Sequence, residues 1–331
     1  MKELGGYFEL ELNQGEHYHK DGLALNSARN CFKYILKAKQ PSKVYIPAYC
    51  CDSLIEPLIA ENIDYAFYHI NEKFELLDLP KIKPNEKMLY INYFALKSEY
   101  VSRLHTHYGD ALIIDNTQAF FEMPIEGVDT FYSPRKFFGV ADGGYLYTDT
   151  LLQEDFEQDH SAGRFTQLLG RYENTASEFY NHYQTSENAL INQPIKWMSK
   201  LTQGILKSLD YEKIALTRQR NFWALHSQLK NSNLYSEMAL TNFVPMVYPF
   251  KRTNERTNER TNERTNERLA TCDLRHKLIA EKIYVAKYWM DAIDRVQPQE
   301  KELIENVFYL PIDQRVEMAA LNKIIGVIHA E

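Results

Sequence analysis

In this 331-residue sequence, an aspartate and a lysine that follow short apolar runs are best placed to do chemistry. Asp115 ends the run 111–114, which is typical of a buried parallel strand. Lys136 stands 21 positions further on, after the strand candidate 130–132 and the turn 133–135. In an open α/β sheet, ligands bind beyond the carboxyl ends of the strands. The spacing therefore predicts that a carboxylate and an amine face one binding site.

This pair suits the chemistry of an aldehyde cofactor. A lysine that forms a Schiff base must be held where its amine can be neutral, near a desolvated or cationic surface. A carboxylate opposite it can keep the pyridine nitrogen of pyridoxal phosphate (PLP) protonated, which makes the ring an electron sink. Gln118 would lie beside the ring substituents, and Gly143-Gly144 allow a close backbone approach. Asp115 alone would be a strand-end cap and Lys136 alone a surface lysine, but together they favour a site.

The same segment resembles the core of the DegT/DnrJ/EryC1/StrS family, which are PLP-dependent sugar aminotransferases of fold type I. That family has Asp-x-Ala-(Gln/His) at one strand end, and downstream a lysine, a spacer and Glu-Gly-Gly. This sequence has Asp115 to Gln118, then Lys136 and, six positions later, Asp142-Gly143-Gly144. Two departures are present: the connection between Asp115 and Lys136 is shorter than usual, and Phe131 replaces the serine that normally precedes the lysine by five. The phosphate contact of that serine therefore passes to Ser133 or is lost.

The resemblance also implies a phosphate site where the first long helix begins. A polar turn, Asn26 to Asn30, precedes an apolar-periodic run from Cys31 to Leu36. The free N–H groups and positive dipole end of a helix N-terminus suit a phosphate. In the family, the equivalent turn holds the PLP phosphate, which gives that role to Ser27, Ala28 and Arg29. Without the resemblance, the turn would be an ordinary helix N-cap.

The residue that stacks on the cofactor ring is left open. After the strand candidate 44–46, the family has a loop with an aromatic residue that stacks on the ring. In this sequence an ungapped reading places Cys51 there. Tyr49 and Tyr93 are both substitutes, and the sequence does not choose between them.

Composition limits the possible partners. The net charge of −7 gives no basic footprint for nucleic acid, and an anionic nucleotide-sugar would need a local basic pocket. Four cysteines, two of them adjacent, show neither metal-ligand spacing nor a disulfide framework, and the pair His105 and His107 has no third ligand spaced for a metal. No run reaches the ~18 apolar residues of a membrane span, and the N-terminus has no signal-peptide pattern. We expect a cytoplasmic protein that binds neither nucleic acid nor membrane.

The order of patterns predicts a large PLP-binding domain over residues 1–210 and a smaller C-terminal domain over 211–331. The large domain is expected to be α/β, with a mostly parallel sheet of the seven-stranded type, and the small one α+β. Residues 5–12 read as a short strand or an arm. In the small domain we expect a strand at 283–285, a strand at 307–312 and a closing helix at 316–328.

Four copies of Arg-Thr-Asn-Glu, followed by Arg268, form a tandem repeat over residues 252–268. Its period of four places like charges at i,i+4, which is mildly unfavourable in a helix, and it offers no apolar face. We interpret it as an expanded loop, because lengthening a loop costs only about 0.6 kcal/mol per doubling. A charge-paired helix that extends from Asp273 is the alternative.

The resemblance implies a PLP-dependent aminotransferase that works as a homodimer with the active site at the interface. It would move an amino group from an amino acid, in the family usually glutamate, to a keto group of a nucleotide-linked sugar for surface-glycan biosynthesis. The sugar dehydratases of the family replace the lysine by histidine, so Lys136 argues against that branch. A non-transaminating PLP enzyme and a catalytically degenerate binding protein remain alternatives, since the family's Asn-Tyr-Arg motif is not found cleanly after residue 149.

Overall fold

A computed structural model describes residues 5–238, 243–253 and 263–330 of the chain. Its strands are β1 (Leu23–Leu25), β2 (Lys43–Pro47), β3 (Asp64–Tyr68), β4 (Glu86–Ile91), β5 (Leu112–Asp115), β6 (Asp129–Tyr132), β7 (Gly144–Tyr147), β8 (Val247–Phe250) and β9 (Phe308–Pro311). Its α-helices are α1 (Ala28–Lys39), α2 (Ile55–Ala60), α3 (Ser98–Tyr108), α4 (Thr166–Glu173), α5 (Tyr180–Asn188), α6 (Lys200–Lys207), α7 (Tyr211–Leu229), α8 (Glu263–Ala280), α9 (Pro298–Asn306) and α10 (Met318–His329).

The central element is a seven-stranded sheet in the order β1-β7-β6-β5-β4-β2-β3. The pairs from β3 to β6 are parallel, whereas β7 runs antiparallel to both β6 and β1. Every residue of β5 and β6 is buried, as expected for strands covered on both faces. The predicted α/β class with a mostly parallel sheet of seven strands is confirmed.

The C-terminal part of the chain packs around a second, two-stranded antiparallel sheet formed by β8 and β9. Helix α7 packs on β8 and on α10, and α10 also contacts α8. This arrangement matches the predicted α+β character. The predicted boundary at residues 210 and 211 stays a prediction.

Helices cover the central sheet and join its strands. Helix α1 packs against β1, β6, β7 and α2, and α3 packs against β5. The crossovers return each parallel strand in the same direction, so β2, β4, β5 and β6 present their carboxyl ends at one edge. That edge carries the candidate site.

Two local expectations need correction, and one alternative that the sequence left open is decided. Residues 5–12 form no strand; they run as an arm on which the side chains of Tyr7 and Phe8 are almost fully exposed. Residues 283–285 are not a strand either, because only Ala286 forms an isolated bridge, to Tyr309 of β9. In the repeat, residues 263–268 begin α8 rather than belonging to a loop, which agrees with the helical alternative there. Residues 254–262 of the repeat lie outside the described residues.

Within the described ranges, the helices are too short or too polar for any of them to cross a lipid bilayer.

Candidate active site

A cavity of about 390 Å³ opens at the carboxyl edge of the central sheet. All of the predicted site residues line it: Ser27, Ala28, Arg29, Asp115, Gln118, Ser133 and Lys136. They come from three separate parts of the chain, namely the start of α1, the end of β5 and the turn after β6. The cavity therefore brings together in space the residues that the sequence linked only by their order and spacing.

Asp115 forms the floor of the cavity at the end of β5. Its strand neighbours in register are Ile91 of β4 and Phe131 of β6, which also line the cavity. The carboxylate is 4% exposed, and its Oδ1 accepts a hydrogen bond of 2.8 Å from the Thr117 backbone N–H. Burial raises the pKa of Asp115, while the charge of Lys136 and the Thr117 bonds oppose this rise. A cation placed beside Asp115 would favour its ionised form.

Lys136 reaches the same cavity from the opposite side of Thr117. It ends the 3-10 turn Pro134–Lys136, which begins two residues after β6, and its side chain is exposed. The ammonium Nζ donates to Thr117 Oγ1 at 2.9 Å. Thr117 thus bonds both Asp115 and Lys136. Sequence reasoning missed this threonine, although its place two residues after Asp115 is typical of an Asx-turn.

Gln118 lines the cavity and has a buried amide nitrogen without a hydrogen-bond partner among the described residues. Its Oε1 accepts from the backbone N–H of Phe94 at 3.0 Å. This bond assigns the amide orientation, because the backbone N–H needs the oxygen of the amide as its acceptor. A buried donor of this kind is costly unless a ligand satisfies it.

The N-terminus of α1 forms one end of the cavity. Ser27 is the N-cap, and its Oγ accepts from Asn30 N–H at 3.1 Å. The N–H groups of Ala28 and Arg29 precede the first bonded turn and have no acceptor within the helix. Gly144 makes this position possible, because a Cβ there would lie 2.6 Å from the Ala28 nitrogen. The close backbone approach predicted for Gly143-Gly144 is therefore present.

Two arginines lie at this end, and each of them is paired with a glutamate. Arg29 pairs with Glu56, with 3.2 Å between Nε and Oε2, and donates from Nη1 to the Leu190 carbonyl at 2.6 Å. Arg135 pairs with Glu187 across the cavity wall. Burial lowers the pKa of Arg135 to about 10, which leaves it charged at neutral pH. Sequence reasoning missed Arg135, although it stands between two predicted site residues.

Neither tyrosine proposed for ring stacking lines the cavity. The hydroxyl groups of Tyr49 and Tyr309 share a hydrogen bond of 2.7 Å, and Tyr93 donates to the Tyr49 carbonyl at 3.0 Å. Cys51 and Trp289 line the cavity instead. Trp289 packs edge-to-face on Tyr49 at 4.4 Å between ring centres and has a positive φ of 55°.

Asp142, which replaces the glutamate of the family pattern, does not line the cavity. It is fully buried and holds Ser199, the N-cap of α6: it accepts from the Ser199 backbone N–H at 2.8 Å, from the Ser199 hydroxyl at 2.8 Å and from the Thr202 hydroxyl. Its role is to anchor α6 beside the Gly143-Gly144 backbone.

The fold is similar to that of solved aminotransferases. A DegT DnrJ EryC1 StrS aminotransferase from Brucella abortus is 14% identical and aligns over 93% of this chain and 85% of its own, with a TM-score of 0.59. A putative sugar aminotransferase from Streptococcus pneumoniae in its PMP form is 13% identical over 93% and 85%, with a TM-score of 0.61. NtdA from Bacillus subtilis with bound cofactor PMP is 16% identical over 93% and 72%, with a TM-score of 0.61.

The sequence matches no protein-family model, and a search of curated proteins gives no match. At these low identities the structural similarity establishes the fold, so the chain has the fold-type-I architecture of these aminotransferases.

Proposed function

We propose that this protein is a PLP-dependent aminotransferase of the DegT/DnrJ/EryC1/StrS type. It would move an amino group from an amino acid, with glutamate as the first candidate, to a keto group of a nucleotide-linked sugar in surface-glycan biosynthesis. The observation that carries the proposal is the convergence of Asp115, Gln118 and Lys136 on one cavity whose far end is a helix N-terminus flanked by arginines. The proteins of similar fold include aminotransferases with bound PMP, which supports the choice of cofactor.

The residues of the cavity fit PLP. Lys136 would hold its aldehyde carbon, and Asp115 would pair with its ring nitrogen. The unsatisfied Nε2–H of Gln118 would donate to a ring substituent. Ser27, Ala28, Arg29 and Ser133 would hold the phosphate, because the α1 N-terminus offers N–H donors and positive charge. When bound, PLP supplies an electron sink for the negative charge that develops at the amino carbon.

The residues of the chain would then act on protons and orientation. Asp115 would be held ionised by its cationic ring partner, which reverses the effect of burial on its pKa. The Lys136 amine, once released, would take a proton from one carbon and return it to another. Thr117 Oγ1, which contacts Nζ at 2.9 Å, would limit the directions that this amine can adopt.

A second reading, a PLP-fold protein without transaminase activity, draws on the departures from the family pattern. Phe131 lines the cavity where the family has a serine, and Cys51 lies where the family has an aromatic residue. If the phosphate contacts that remain are too few, the protein would be a different PLP enzyme or a binding protein.

The test is the absorbance spectrum of the purified protein with PLP, recorded for the wild type, Lys136→Ala and the control Lys20→Ala, followed by L-glutamate. We expect a visible band in the wild type and in the control that Lys136→Ala lacks, and we expect glutamate to abolish it. A band that glutamate leaves unchanged would favour another donor or another PLP reaction. A wild type without a band would contradict the proposal.

Assembly and location belong to the same proposal. We propose a cytoplasmic homodimer that completes its active site at the interface, and a division into domains 1–210 and 211–331. Sedimentation equilibrium of the purified chain would give twice the 38.9 kDa chain mass for a dimer. A monomer that is active at every concentration tested would exclude this assembly.

A further inference from the structure

A buried arginine connects the C-terminal part of the chain to the candidate site. Arg218 is 1% exposed and lies on the apolar face of α7, one turn from both Ile214 and Phe222. Desolvation lowers the pKa of Arg218 to about 10, so it remains charged at neutral pH. Its hydrogen-bond acceptors are amide and carbonyl oxygens. Burial of a charge is weak evidence for a role in stability, so this arginine calls for another explanation.

The first connection leads to the peptide that follows Lys136. Arg218 donates from Nε to Gln314 Oε1 at 3.1 Å, and Gln314 donates from Nε2 to the Phe137 carbonyl at 2.7 Å. Arg218 Nη2 also approaches that carbonyl at 3.4 Å. Because arginine is only a donor, it fixes which end of the Gln314 amide faces Phe137.

The backbone N–H, the backbone carbonyl and the ring of Phe137 each have a partner. Its backbone N–H donates to the Pro134 carbonyl at 3.0 Å, which closes the turn that carries Lys136. Its carbonyl accepts from Gln314, and its ring lies 4.6 Å from the Arg218 guanidinium carbon. The residue next to Lys136 therefore has no free direction in which to rotate.

The second connection leads to Gln118. Arg218 Nη1 donates to the Met246 carbonyl at 3.1 Å, and Met246 N–H donates to the Phe94 carbonyl at 3.1 Å. The N–H of Phe94 in turn occupies Gln118 Oε1, which directs the Gln118 amide nitrogen away from Phe94. One guanidinium is thus linked by hydrogen bonds to Gln118, and to Lys136 through hydrogen bonds to the next residue, Phe137.

We propose that Arg218 is a positioning residue, which orients Lys136 through Gln314 and Phe137 and orients Gln118 through Met246 and Phe94. The assignment rests on the proposed function, because it gives Lys136 and Gln118 a cofactor to hold. It also makes the residues just before β8 and the segment after β9 part of the machinery, since Met246 and Gln314 both accept hydrogen bonds from the same guanidinium.

The variant Gln314→Glu tests this assignment. A carboxylate at position 314 still accepts from Arg218 but has no N–H to donate to the Phe137 carbonyl. We expect backbone hydrogen exchange in residues 134–140 of the cofactor-free full chain to become about tenfold faster, as for the loss of one buried hydrogen bond. The Lys136-dependent band with PLP should need about tenfold more PLP to reach half its height.

Asn233→Ala is the matched control. Asn233 is also buried, and it holds the other end of β8 by donating from Nδ2 to the Pro249 carbonyl at 2.9 Å, without contact to Phe137. Its loss should lower stability and leave exchange in residues 134–140 at the wild-type rate. Arg218→Lys, which keeps the charge but offers one nitrogen, should act in the same direction as Gln314→Glu.

The outcomes separate the two proposals. Unchanged exchange in residues 134–140 of Gln314→Glu, or an equal acceleration in Asn233→Ala, would overturn the positioning role. A wild type that forms no Lys136-dependent band would overturn the proposed function, and the exchange rates of the cofactor-free chain would still decide whether Arg218 positions Lys136.

Discussion

At the scale of single residues, Asp115 shows a conflict between the stability of the protein and the chemistry of its cavity. The carboxylate is buried at the end of β5, where desolvation raises its pKa and Lys136 offsets only part of that rise. A raised pKa means that the native state holds a proton more tightly than the unfolded state does. The contribution of Asp115 to the free energy of unfolding is therefore fully present below the unfolded pKa of 3.8. It is lost as the pH rises through the native pKa.

Replacement of this charge should consequently stabilise the cofactor-free protein. We expect Asp115→Asn to keep the bond from Thr117 N–H, remove the buried charge and raise the melting temperature at pH 7 by on the order of 2 °C. The same variant should lose the proposed transaminase activity, because a neutral amide does not hold a ring nitrogen protonated. Calorimetry at pH 7 and at pH 4 checks the sign, since the gain should shrink at the lower pH. A variant that is less stable than the wild type at pH 7 would contradict this prediction. It would show that Lys136 and Thr117 fully offset the cost of burying the Asp115 charge.

The residues that the sequence revealed are those whose role follows from local position. Asp115 and Lys136 could be predicted because each follows an apolar run that a parallel sheet requires. Ser27 needed the family resemblance, since an N-cap alone does not indicate a ligand. Arg218 could have been noticed in the sequence, because it is a charged residue at a helical position where Ile214 and Phe222 predict an apolar one.

Trp289 could not have been found in the same way. It reaches the cavity only because the C-terminal part packs against Tyr49, and such a contact depends on tertiary structure rather than on spacing. For the same reason Tyr49 and Tyr93 were attractive candidates from sequence, although the core takes up their hydroxyl groups.

At the scale of elements, the position of α1 depends on its contact with β7. Gly144 opens β7 beneath the first turn of α1, where a Cβ would lie 2.6 Å from backbone atoms of Ser27 and Ala28 and 2.7 Å from Cys31 Sγ. Backbone atoms in the first turn cannot move away as a flexible side chain can. The helix N-terminus and β7 are therefore fitted to each other through this glycine.

The variant Gly144→Ala should disrupt this fit. We expect it to lower the free energy of unfolding by about 1–3 kcal/mol through overpacking and to weaken PLP binding, because the N-terminus of α1 must shift. Denaturant unfolding and a PLP titration measure the two effects. Gly163→Ala is the control, since a Cβ there meets nothing within 4 Å. Equal stability of the two variants would show that β7 and α1 can separate without loss.

The strand predicted at residues 283–285 and the strand alternative for residues 5–12 have no partner strand among the described residues. Residues 5–12 alternate between apolar and polar side chains, and residues 283–285 are β-branched or aromatic; both patterns favour strands, yet neither segment forms a ladder. Strand propensity measures how well a side chain fits a pleated surface, so it predicts a strand only where a partner strand is present. The central strands were predictable because their apolar runs report burial on both faces.

At the scale of the whole molecule, the N-terminal segment is tied to the sheet through a buried histidine. His19 is 1% exposed, packs against Tyr132 in a tilted arrangement with 4.0 Å between ring centres, and donates from Nε2 to the Phe120 carbonyl at 2.7 Å. Its Nδ1 lies 3.3 Å from the Tyr147 hydroxyl, which donates to the neutral ring. Desolvation lowers the pKa of His19 to about 4. The histidine therefore joins residues before β1 to the connections around β5, β6 and β7.

This histidine should make the protein sensitive to acid. Between pH 6.5 and 4 the unfolded state binds a proton at position 19 that the native state rejects, so stability falls as pH is lowered through this window. The loss attributable to His19 amounts to about 3 kcal/mol over the window. We expect His19→Gln, whose amide can still donate to the Phe120 carbonyl, to be less stable at pH 7 but to lose less stability on acidification. Urea unfolding at pH 7, 6, 5 and 4 measures both slopes, with the exposed His107→Gln as the control. Equal slopes of the free energy of unfolding against pH for the wild type and His19→Gln would mean that another group governs acid unfolding. A shallower slope for His19→Gln, but not for His107→Gln, would identify His19 as the acid-labile point of the fold.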